Sequence, residues 1–405
     1  MWRIRQSVSG YHSERAGESA RHAPGPILIE MTTTHDQLPA DAAQFVLDTF
    51  LALVRIDSLS GDEGAVAERL RGYLKDAGCQ VWSDPAGNLL ARRAGQGAGS
   101  TLPPLLLSAH MDTVEPGHGI QPRIVDGVVR SDGTTILGAD DKAGVAAILT
   151  ALRQTNGKGS SCCPVEVAFS VQEEVGLIGA KHLDLTQLAS KTAIVMDSAG
   201  PVGSIVARAP SQDTMTIEIT GQASHAGVAP EQGVSAVVVA ARAIAGMRLG
   251  RIDPETTANI GVIRGGMATN IIPAHVTMRG EARSLDEGRL KAQTAHMREC
   301  FETAAHELGA KVDFWVERSY ASINLSPDSA VVRRVSRAMA AIGVEASLIS
   351  TGGGSDANIF MGAGIETANL GFGMMRPHSV DEHIAVADLR QAALILTAIL
   401  SDPQG

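Results

Sequence analysis

The chain has 405 residues, more than the roughly 250–300 at which one packed domain stops growing, so two domains are expected. Hydrophobic residues make up 44% but aromatic residues only 3%, so Leu, Val, Ile and Ala must fill the core. With 34 basic and 44 acidic residues, the net charge of −10 argues against a nucleic-acid-binding surface. No apolar run reaches the ~20 residues of a membrane span, so no membrane association is predicted.

Cysteine usage and the N-terminus bear on the cellular compartment. The chain contains Cys79, Cys162, Cys163 and Cys300. Because two of them are adjacent, they fit neither a disulfide framework nor a Cys-x-x-Cys metal motif, and a reducing, cytoplasmic location is expected. The first thirty residues are polar and irregular, and they lack the apolar centre of a secretory signal. Residues 1–39 are predicted to be a disordered extension or the product of an upstream start codon.

The hydrophobic pattern then predicts helices and strands in alternation. Helical spacing of apolar residues marks residues 43–53, 64–77, 142–153, 177–183, 329–341 and 385–400. Short strands are predicted at 79–82 and 88–92, and continuous apolar runs predict buried strands at 105–109, 165–171, 193–196 and 367–370. Strands that alternate with helices predict an α/β fold, with a mostly parallel sheet and helices on both of its faces.

Residues from about 210 to 322 follow a different pattern. Strand patterns are found at 214–220, 259–264, 275–282 and 311–317, and helical patterns at 234–247 and 286–308. They predict a separate α+β unit of four antiparallel strands and two helices. The predicted division is therefore one domain made of residues 40–208 and 323–405, interrupted by an inserted unit at 209–322.

Five short segments place His, Asp or Glu side chains where a predicted element begins or ends. They contain His110 with Asp112, Asp140, Glu173 with Glu174, Asp197, and His378. Ligands of open α/β sheets bind at the carboxyl ends of the strands, so these segments converge on one site. A lone His-x-Asp or Glu-Glu pair is usually structural, but their joint occurrence favours a metal site.

The types of side chain indicate which metals the site would take. Two histidines and three or four carboxylates, with no cysteine, suit a pair of divalent first-row ions, most often zinc. A carboxylate can bridge the ions, and a water between them would be acidified into a nucleophile. Asp112 lies two residues after His110, where it can accept the second ring N–H of a metal-bound histidine.

Together these motifs resemble the signature of a di-zinc metallopeptidase family. The family includes peptidase T, glutamate carboxypeptidase, aminoacylase, acetylornithine deacetylase and succinyl-diaminopimelate desuccinylase. The similarity spans about residues 40–400, and its motifs are residues 108–113, 138–142 and 173–176, with Asp197 and His378. The Asp-Asp-Lys-Ala-Gly run from Asp140 and the Glu-Glu-Val-Gly run from Glu173 look most like the peptidase T-like branch.

The resemblance implies a set of metal ligands. Asp140 would bridge two zinc ions, for which Co²⁺ or Mn²⁺ are possible substitutes. His110 and Asp197 would complete one site, and Glu174 and His378 the other. A non-proline cis peptide bond after Asp140 is also implied.

Two further roles at this site follow from the resemblance. Asp112 would orient His110. Glu173 would be the general base that takes a proton from the bridging water and passes it to the leaving amine. This assignment agrees with the residues themselves, since Glu174 is occupied by metal and leaves one free carboxylate beside the water.

The inserted unit resembles the family's lid, which carries dimerisation and substrate contacts, so a homodimer is expected. His225, in a Ser-His-Ala-Gly run, would contribute to the oxyanion site of the partner subunit, and Asn270 would contact the substrate. Arg283 would bind a substrate carboxylate through its planar fork. Without the resemblance, His225 would be read as a surface histidine, and a surface ion pair is the alternative for Arg283.

A glycine-rich turn, Thr-Gly-Gly-Gly-Ser-Asp at 351–356, precedes a predicted helix. Its glycines allow close approach of a ligand, which makes Gly353 and Ser355 candidates for substrate binding. A plain turn with Ser355 or Asp356 as the helix N-cap is an equally good interpretation. A peptidase T-like protein would use this loop to line the substrate pocket.

The leading prediction is metal-dependent hydrolysis of amide bonds in short peptides, resembling a tripeptide aminopeptidase. The same chemistry on N-acyl amino acids, or a carboxypeptidase on the same scaffold, is the alternative. A binding or regulatory protein without catalysis is a third hypothesis. The intact set of Asp140, Glu173, Glu174, Asp197 and both histidines argues against it.

Overall fold

The computed structural model describes residues 37–404. Of the extension predicted at residues 1–39, residues 1–36 lie outside this range. The α-helices are, in chain order, α1 (Ala40–Val54), α2 (Gly64–Asp76), α3 (Ala139–Gln154), α4 (Ile178–His182), α5 (Ala236–Gly246), α6 (Glu287–Leu308), α7 (Ala330–Ala341), α8 (Asp356–Gly362) and α9 (Val386–Ser401). Among the helices of this range, none combines the length and hydropathy needed to cross a membrane.

Strands are distributed along the same range. They are β1 (Gln80–Ser83), β2 (Leu89–Arg93), β3 (Leu105–His110), β4 (Arg123–Val125), β5 (Val128–Arg130), β6 (Val165–Ser170), β7 (Thr192–Ser198), β8 (Ser204–Ala209), β9 (Ser211–Thr220), β10 (Gly250–Asp253), β11 (Thr256–Gly265), β12 (His275–Ser284), β13 (Lys311–Tyr320), β14 (Ile323–Asn324), β15 (Ser347–Ser350), β16 (Glu366–Gly371) and β17 (His383–Ala385).

The central sheet has the strand order β1-β2-β6-β3-β7-β16-β8-β14, with β15 paired to β8. Its middle strands β6, β3, β7 and β16 are parallel, whereas β1, β2 and β14 add antiparallel pairs towards its edges. Every residue of β3 and β6 is buried, because helices cover both faces of the sheet. The predicted mostly parallel sheet is confirmed.

Close packing of α3 on this sheet brings the start of the helix to the strand ends. A Cβ atom on Gly144 would overlap the carboxylate of Asp141 and the backbone carbonyl of Met196. Only glycine therefore lets the first turn of α3 lie against β7. As a result, Asp140 at the start of α3 and Asp197 near the end of β7 face the same edge of the sheet.

A separate antiparallel sheet, with the order β10-β11-β12-β9-β13, spans residues 211–320, which we call the inserted unit. Helices α5 and α6 pack on it around a hydrophobic cluster of its own, which includes Met215, Ile217 and Phe301. The four predicted strands and both helices are present. A fifth strand, Gly250–Asp253, was not predicted, because a glycine and an Asp-Pro pair bound it and resemble a turn.

Candidate active site

The structure brings the polar segments at the strand ends together. Coordinating atoms of His110, Asp140 and Glu174 all lie within 4.8 Å of one another, and so do those of His110, Glu173 and Asp197. His110 ends β3, Asp197 lies in β7, and the glutamates follow β6. We call these five residues and His378 the metal-ligand cluster.

His378 reaches the cluster from the loop that precedes β17. Its Nε2 atom lies 2.9 Å from Oε1 of Glu174 and 3.4 Å from Oδ2 of Asp140. His378 (φ 60°) and Gln172 (φ 52°), which precedes Glu173, both have left-handed backbone conformations. Such conformations are costly for residues other than glycine and concentrate at functional sites. The peptide bond between Asp140 and Asp141 is cis, as the resemblance implied.

Electrostatics explain why this cluster suits cations. Burial raises the pKa of Glu173 and Asp197 well above the usual carboxylate value, and neighbouring carboxylates raise them further. Hydrogen bonds to Asp140 and Glu174 raise the pKa of His378 to about 10. Four carboxylates thus face two histidines, and divalent ions would neutralise the excess negative charge. Oxygen and nitrogen donors without sulfur fit first-row ions such as zinc or manganese.

Asp112 orients more than one member of the cluster. Its carboxylate accepts hydrogen bonds from the backbone N–H groups of Glu173 (3.0 Å) and Glu174 (3.2 Å) and from Oγ of Ser60 (2.6 Å). The Nδ1 atom of His110 is 2.9 Å from the backbone carbonyl of Asp112 and 3.5 Å from its carboxylate. Both acceptors belong to Asp112, and the backbone carbonyl is the nearer one; that Asp112 orients His110 stays a prediction.

Glu382 is a buried residue at the cluster that the sequence did not single out. Its carboxylate accepts hydrogen bonds from the backbone N–H groups of Leu137 (2.8 Å), Gly138 (2.7 Å) and Asp140 (2.9 Å). Burial raises the pKa of Glu382 to about 7, against the effect of these bonds. It thereby fixes the turn that precedes Asp140. In the sequence, the position of Glu382 four residues after His378 was the one sign that it belongs to the site.

Other side chains near the cluster are fixed by long-range hydrogen bonds. Asn369 accepts from the N–H of Asp197 (3.0 Å) and donates to its carbonyl (2.7 Å). Lys142 is buried and donates from Nζ to the carbonyl of Ile56 at 2.7 Å. Burial lowers the pKa of Lys142 to about 8. These contacts hold the strand ends and the start of α3 in one arrangement.

The two candidate residues of the glycine-rich turn, Gly353 and Ser355, lie in different surroundings. Ser355 is the N-cap of α8, and its Oγ atom accepts from the N–H of Ala357 (3.3 Å) and from Nδ2 of Asn369 (3.1 Å). For Ser355 the N-cap interpretation therefore fits better than a direct substrate contact. Gly353 and Gly354 line the space beside the cluster, and a Cβ on Gly354 would overlap the ring of Tyr320.

A cavity of about 770 Å³ separates the cluster from the inserted unit. One wall contains the two glutamates after β6, the start of α4 and His378. The other wall is the face of the inserted sheet that points away from α5 and α6. Its lining side chains include Gln212, Thr214, Arg279, Glu281, Arg283 and Glu317. This space is large enough for a small molecule or a short peptide.

Arg283 lines the cavity, and one edge of its guanidinium is paired within the chain. Its Nε and Nη2 atoms each lie 3.0 Å from a carboxylate oxygen of Glu281. Gln212 donates a further hydrogen bond to Glu281 at 3.1 Å. Glu281 therefore holds the edge of the guanidinium formed by Nε and Nη2, while Arg283 still lines the cavity. That Arg283 binds a substrate carboxylate stays a prediction, and the ion pair that was its alternative is present.

His225 and Asn270 do not line the cavity of their own chain. Both are exposed on the inserted unit, where the N–H of Ala226 donates to the carbonyl of Asn270 at 2.9 Å. The structure thus brings these two candidates close to each other and leaves them apart from the metal-ligand cluster. That Asn270 contacts the substrate and that His225 acts in the partner's site both stay predictions.

Comparison with known proteins identifies the class. Residues 106–402 match the sequence profile of peptidase family M20/M25/M40. The chain belongs to this family of metallopeptidases, which makes it a hydrolase. It is 39% identical over 365 residues to the uncharacterized protein YqjE of Bacillus subtilis strain 168, a match that covers 88% of this chain and 98% of that protein.

Solved structures of similar proteins support the same class. The aminopeptidase PepT of Bacillus cereus shares 42% identity with a TM-score of 0.79, over 90% of this chain and 99% of that one. A tripeptidase of Staphylococcus aureus shares 38% identity with a TM-score of 0.82, over 89% of this chain and 98% of that one. The similarity therefore extends across both sheets.

Proposed function

We propose that the protein is a metal-dependent aminopeptidase that removes the first residue of short peptides. The observation that carries this proposal is the metal-ligand cluster with the buried Glu173, placed on one wall of a cavity whose other wall is charged. The similarity to proteins described as an aminopeptidase and a tripeptidase supports it.

The chain's own residues divide into ligands and a base. Asp140 would be shared by two ions, with His110 and Asp197 on one and Glu174 and His378 on the other. When bound, the ions would supply an acidified water and polarise the amide carbonyl.

Glu173 is proposed as the group that moves the proton. It is 8% exposed, and burial raises its pKa, which suits proton transfer near neutral pH. Glu174 is engaged by His378, so Glu173 is the glutamate of the pair that stays available. Its carboxylate would accept a proton from the attacking water and return it to the leaving amine. The carboxylate of Asp112 accepts hydrogen bonds from the backbone N–H groups of both glutamates and so fixes the position of each one.

We also propose a homodimer through the inserted unit, taken as residues 209–322 between the two parts of the catalytic domain (40–208 and 323–405). Strand β10 pairs with β11 at residues 256–258, and within residues 37–404 the edge of β11 is unpaired from Asn259 onward. Exposed apolar side chains lie on or next to this edge, including Ile263, Met267 (94% exposed) and Ile271. An unpaired apolar edge of this kind favours pairing with a second copy. His225 would then act in the partner's site.

A substrate screen on metal-loaded protein tests the proposed activity. Dipeptides, tripeptides and N-acyl amino acids are offered in parallel, and released amines are identified by mass spectrometry. We expect free N-terminal amino acids from tripeptides. Preferential cleavage of N-acyl amino acids would instead assign the chain to the deacylases, and release of C-terminal residues would make it a carboxypeptidase.

A further inference from the structure

Two short segments join the inserted unit to the central sheet. Pro210 lies between β8 and β9, and residues 321–322 lie between β13 and β14. These segments, which we call the crossing segments, are neighbours, because Ala209 at the end of β8 pairs with Ile323 at the start of β14. The direction in which they leave the central sheet therefore sets the distance between the two walls of the cavity.

Asn358 of α8 binds both crossing segments. Its Nδ2 atom donates hydrogen bonds to the backbone carbonyl of Pro210 (3.1 Å) and to that of Ala321 (2.7 Å). Its Oδ1 atom accepts from the N–H of Ser355 at 3.0 Å and completes the capping box of α8. Asn358 is 1% exposed, so these contacts are shielded from water. A buried amide whose donors and acceptor are all used holds its partners in one arrangement.

Contacts at the surface hold the two units together less firmly. Arg208 of β8 pairs with Glu255, which precedes β11, at 2.9 Å. Both side chains are partly exposed, and ion pairs of this kind do little to fix a geometry. The ring of Tyr320 lies over Gly354, but an aromatic ring on a glycine restrains only how closely the two approach. We therefore expect the buried amide of Asn358 to decide the direction of the crossing segments.

The same helix is also connected to the metal-ligand cluster. Ser355, the N-cap of α8, accepts at Oγ from Nδ2 of Asn369 (3.1 Å), and Asn369 binds both backbone groups of Asp197. Helix α8 thus contacts the crossing segments through Asn358 and the end of β7 through Ser355. It links the position of the inserted unit to the position of the cluster.

We propose that Asn358 is a positioning residue that sets the width of the cavity by holding both crossing segments against α8. The kinetic consequence of this inference rests on the proposed peptidase function, whereas its geometric consequence does not. A substrate that contacts both walls binds only when the walls are at the right distance. If fewer molecules have that width, the apparent affinity falls in proportion. Loss of the two hydrogen bonds should therefore raise KM and change kcat little.

The test uses a substitution that affects only these two hydrogen bonds. Asn358→Asp keeps the oxygen that accepts from Ser355 and replaces the NH₂ group by a second oxygen. Asn324→Asp, at an exposed position of β14, is the matched control. Spin labels, attached through noncanonical residues in place of the exposed Lys75 of α2 and Lys291 of α6, report the distance between the two units by pulsed electron paramagnetic resonance.

The wild type and Asn324→Asp should each give one narrow distribution of distances, and Asn358→Asp should give a broader one. On a tripeptide, Asn358→Asp should raise KM roughly 10-fold, with kcat and metal content nearly unchanged. Asn358→Ala adds no charge and should change both the distance distribution and KM in the same direction. It replaces Asn358→Asp in the comparison if that variant does not fold.

An unchanged distance distribution in the folded variants overturns the inference, even where the temperature of unfolding falls, because a merely structural contact would give that result. Loss of metal from Asn358→Asp as great as that from Glu174→Gln also overturns it, since the residue would then act on the cluster instead of the crossing segments. Failure of the wild type to hydrolyse any peptide would contradict the proposed function, and the distance distributions would still decide the role of Asn358.

Discussion

The metal-ligand cluster and the cavity face of the inserted unit contact the same space but are built differently. In and around the cluster, buried carboxylates accept hydrogen bonds from backbone N–H groups, as Asp112 and Glu382 do. On the inserted unit, half-exposed side chains bind one another, as Glu281 and Arg283 do. Backbone contacts fix a position more rigidly than contacts between exposed side chains. We therefore expect changes at the cluster to affect kcat and metal binding, and changes on the cavity face of the inserted unit to affect KM.

The largest expected effect is on kcat, and it distinguishes the roles of the neighbouring residues Glu173 and Glu174. Glu173→Gln should lower kcat by about 10²- to 10⁴-fold and leave the metal content unchanged, because glutamine keeps the shape and removes the proton acceptor. Glu174→Gln should instead weaken metal binding. Metal content and kcat measured on both variants check this. Equal loss of metal from both would mean that the roles are assigned wrongly.

Mixing two inactive variants tests whether the inserted unit completes the partner's site. His225→Ala and Glu173→Gln are each expected to be nearly inactive. A hybrid dimer contains one site with both residues intact, so an equal mixture that exchanges subunits should recover about a quarter of wild-type activity. No recovery, with hybrid dimers demonstrated by mass spectrometry, would place His225 in its own subunit. A monomer in sedimentation would contradict the whole arrangement.

Substitution of Glu382 is expected to have a smaller effect, on the affinity of the cluster for metal. Glu382→Gln replaces an acceptor oxygen by an NH₂ group that faces backbone donors, so the turn before Asp140 should shift. We expect metal affinity to fall about 10- to 100-fold, as for other residues that orient ligands. Asp381→Asn is the matched control, since Asp381 is exposed and pairs with Arg376. Equal effects of the two changes, measured by metal titration, would remove this role from Glu382.

The smallest expected effect is on stability, and it comes from the hydrogen bond that Ser60 donates to Asp112. Ser60→Ala removes the hydrogen bond from Oγ of Ser60 to this carboxylate and should lower the free energy of unfolding by about 1 kcal/mol. KM should not change, because Ser60 does not line the cavity. Ser347→Ala, at an exposed serine on β15, is the control in denaturant unfolding. A change in KM without a change in stability would contradict the contrast between the two regions.

The sequence predicted those parts of the structure that local patterns encode. Continuous apolar runs located β3 and β6, and polar residues at their ends located His110 and Glu173. Short strands such as β10 and β14 were missed, because two to four residues carry too little periodicity.

Contacts between distant segments could not be read from local patterns. Glu382 meets Leu137 across 245 positions of the chain. Its position four residues after His378 places it near the site but does not indicate which backbone groups it binds. The Glu281–Arg283 pair is different, because the period of two along a strand places both side chains on one face. That pairing was available from the sequence.

Metal content measured alongside activity is the decisive measurement for metal-dependent hydrolysis. Purified protein is stripped with a chelator, the metal is returned in steps, and hydrolysis of a tripeptide is followed with the number of ions bound per chain. We predict that the stripped protein is inactive and that activity returns as binding approaches two ions per chain, with Glu174→Gln requiring more metal. Full activity in protein with almost no bound metal would contradict it.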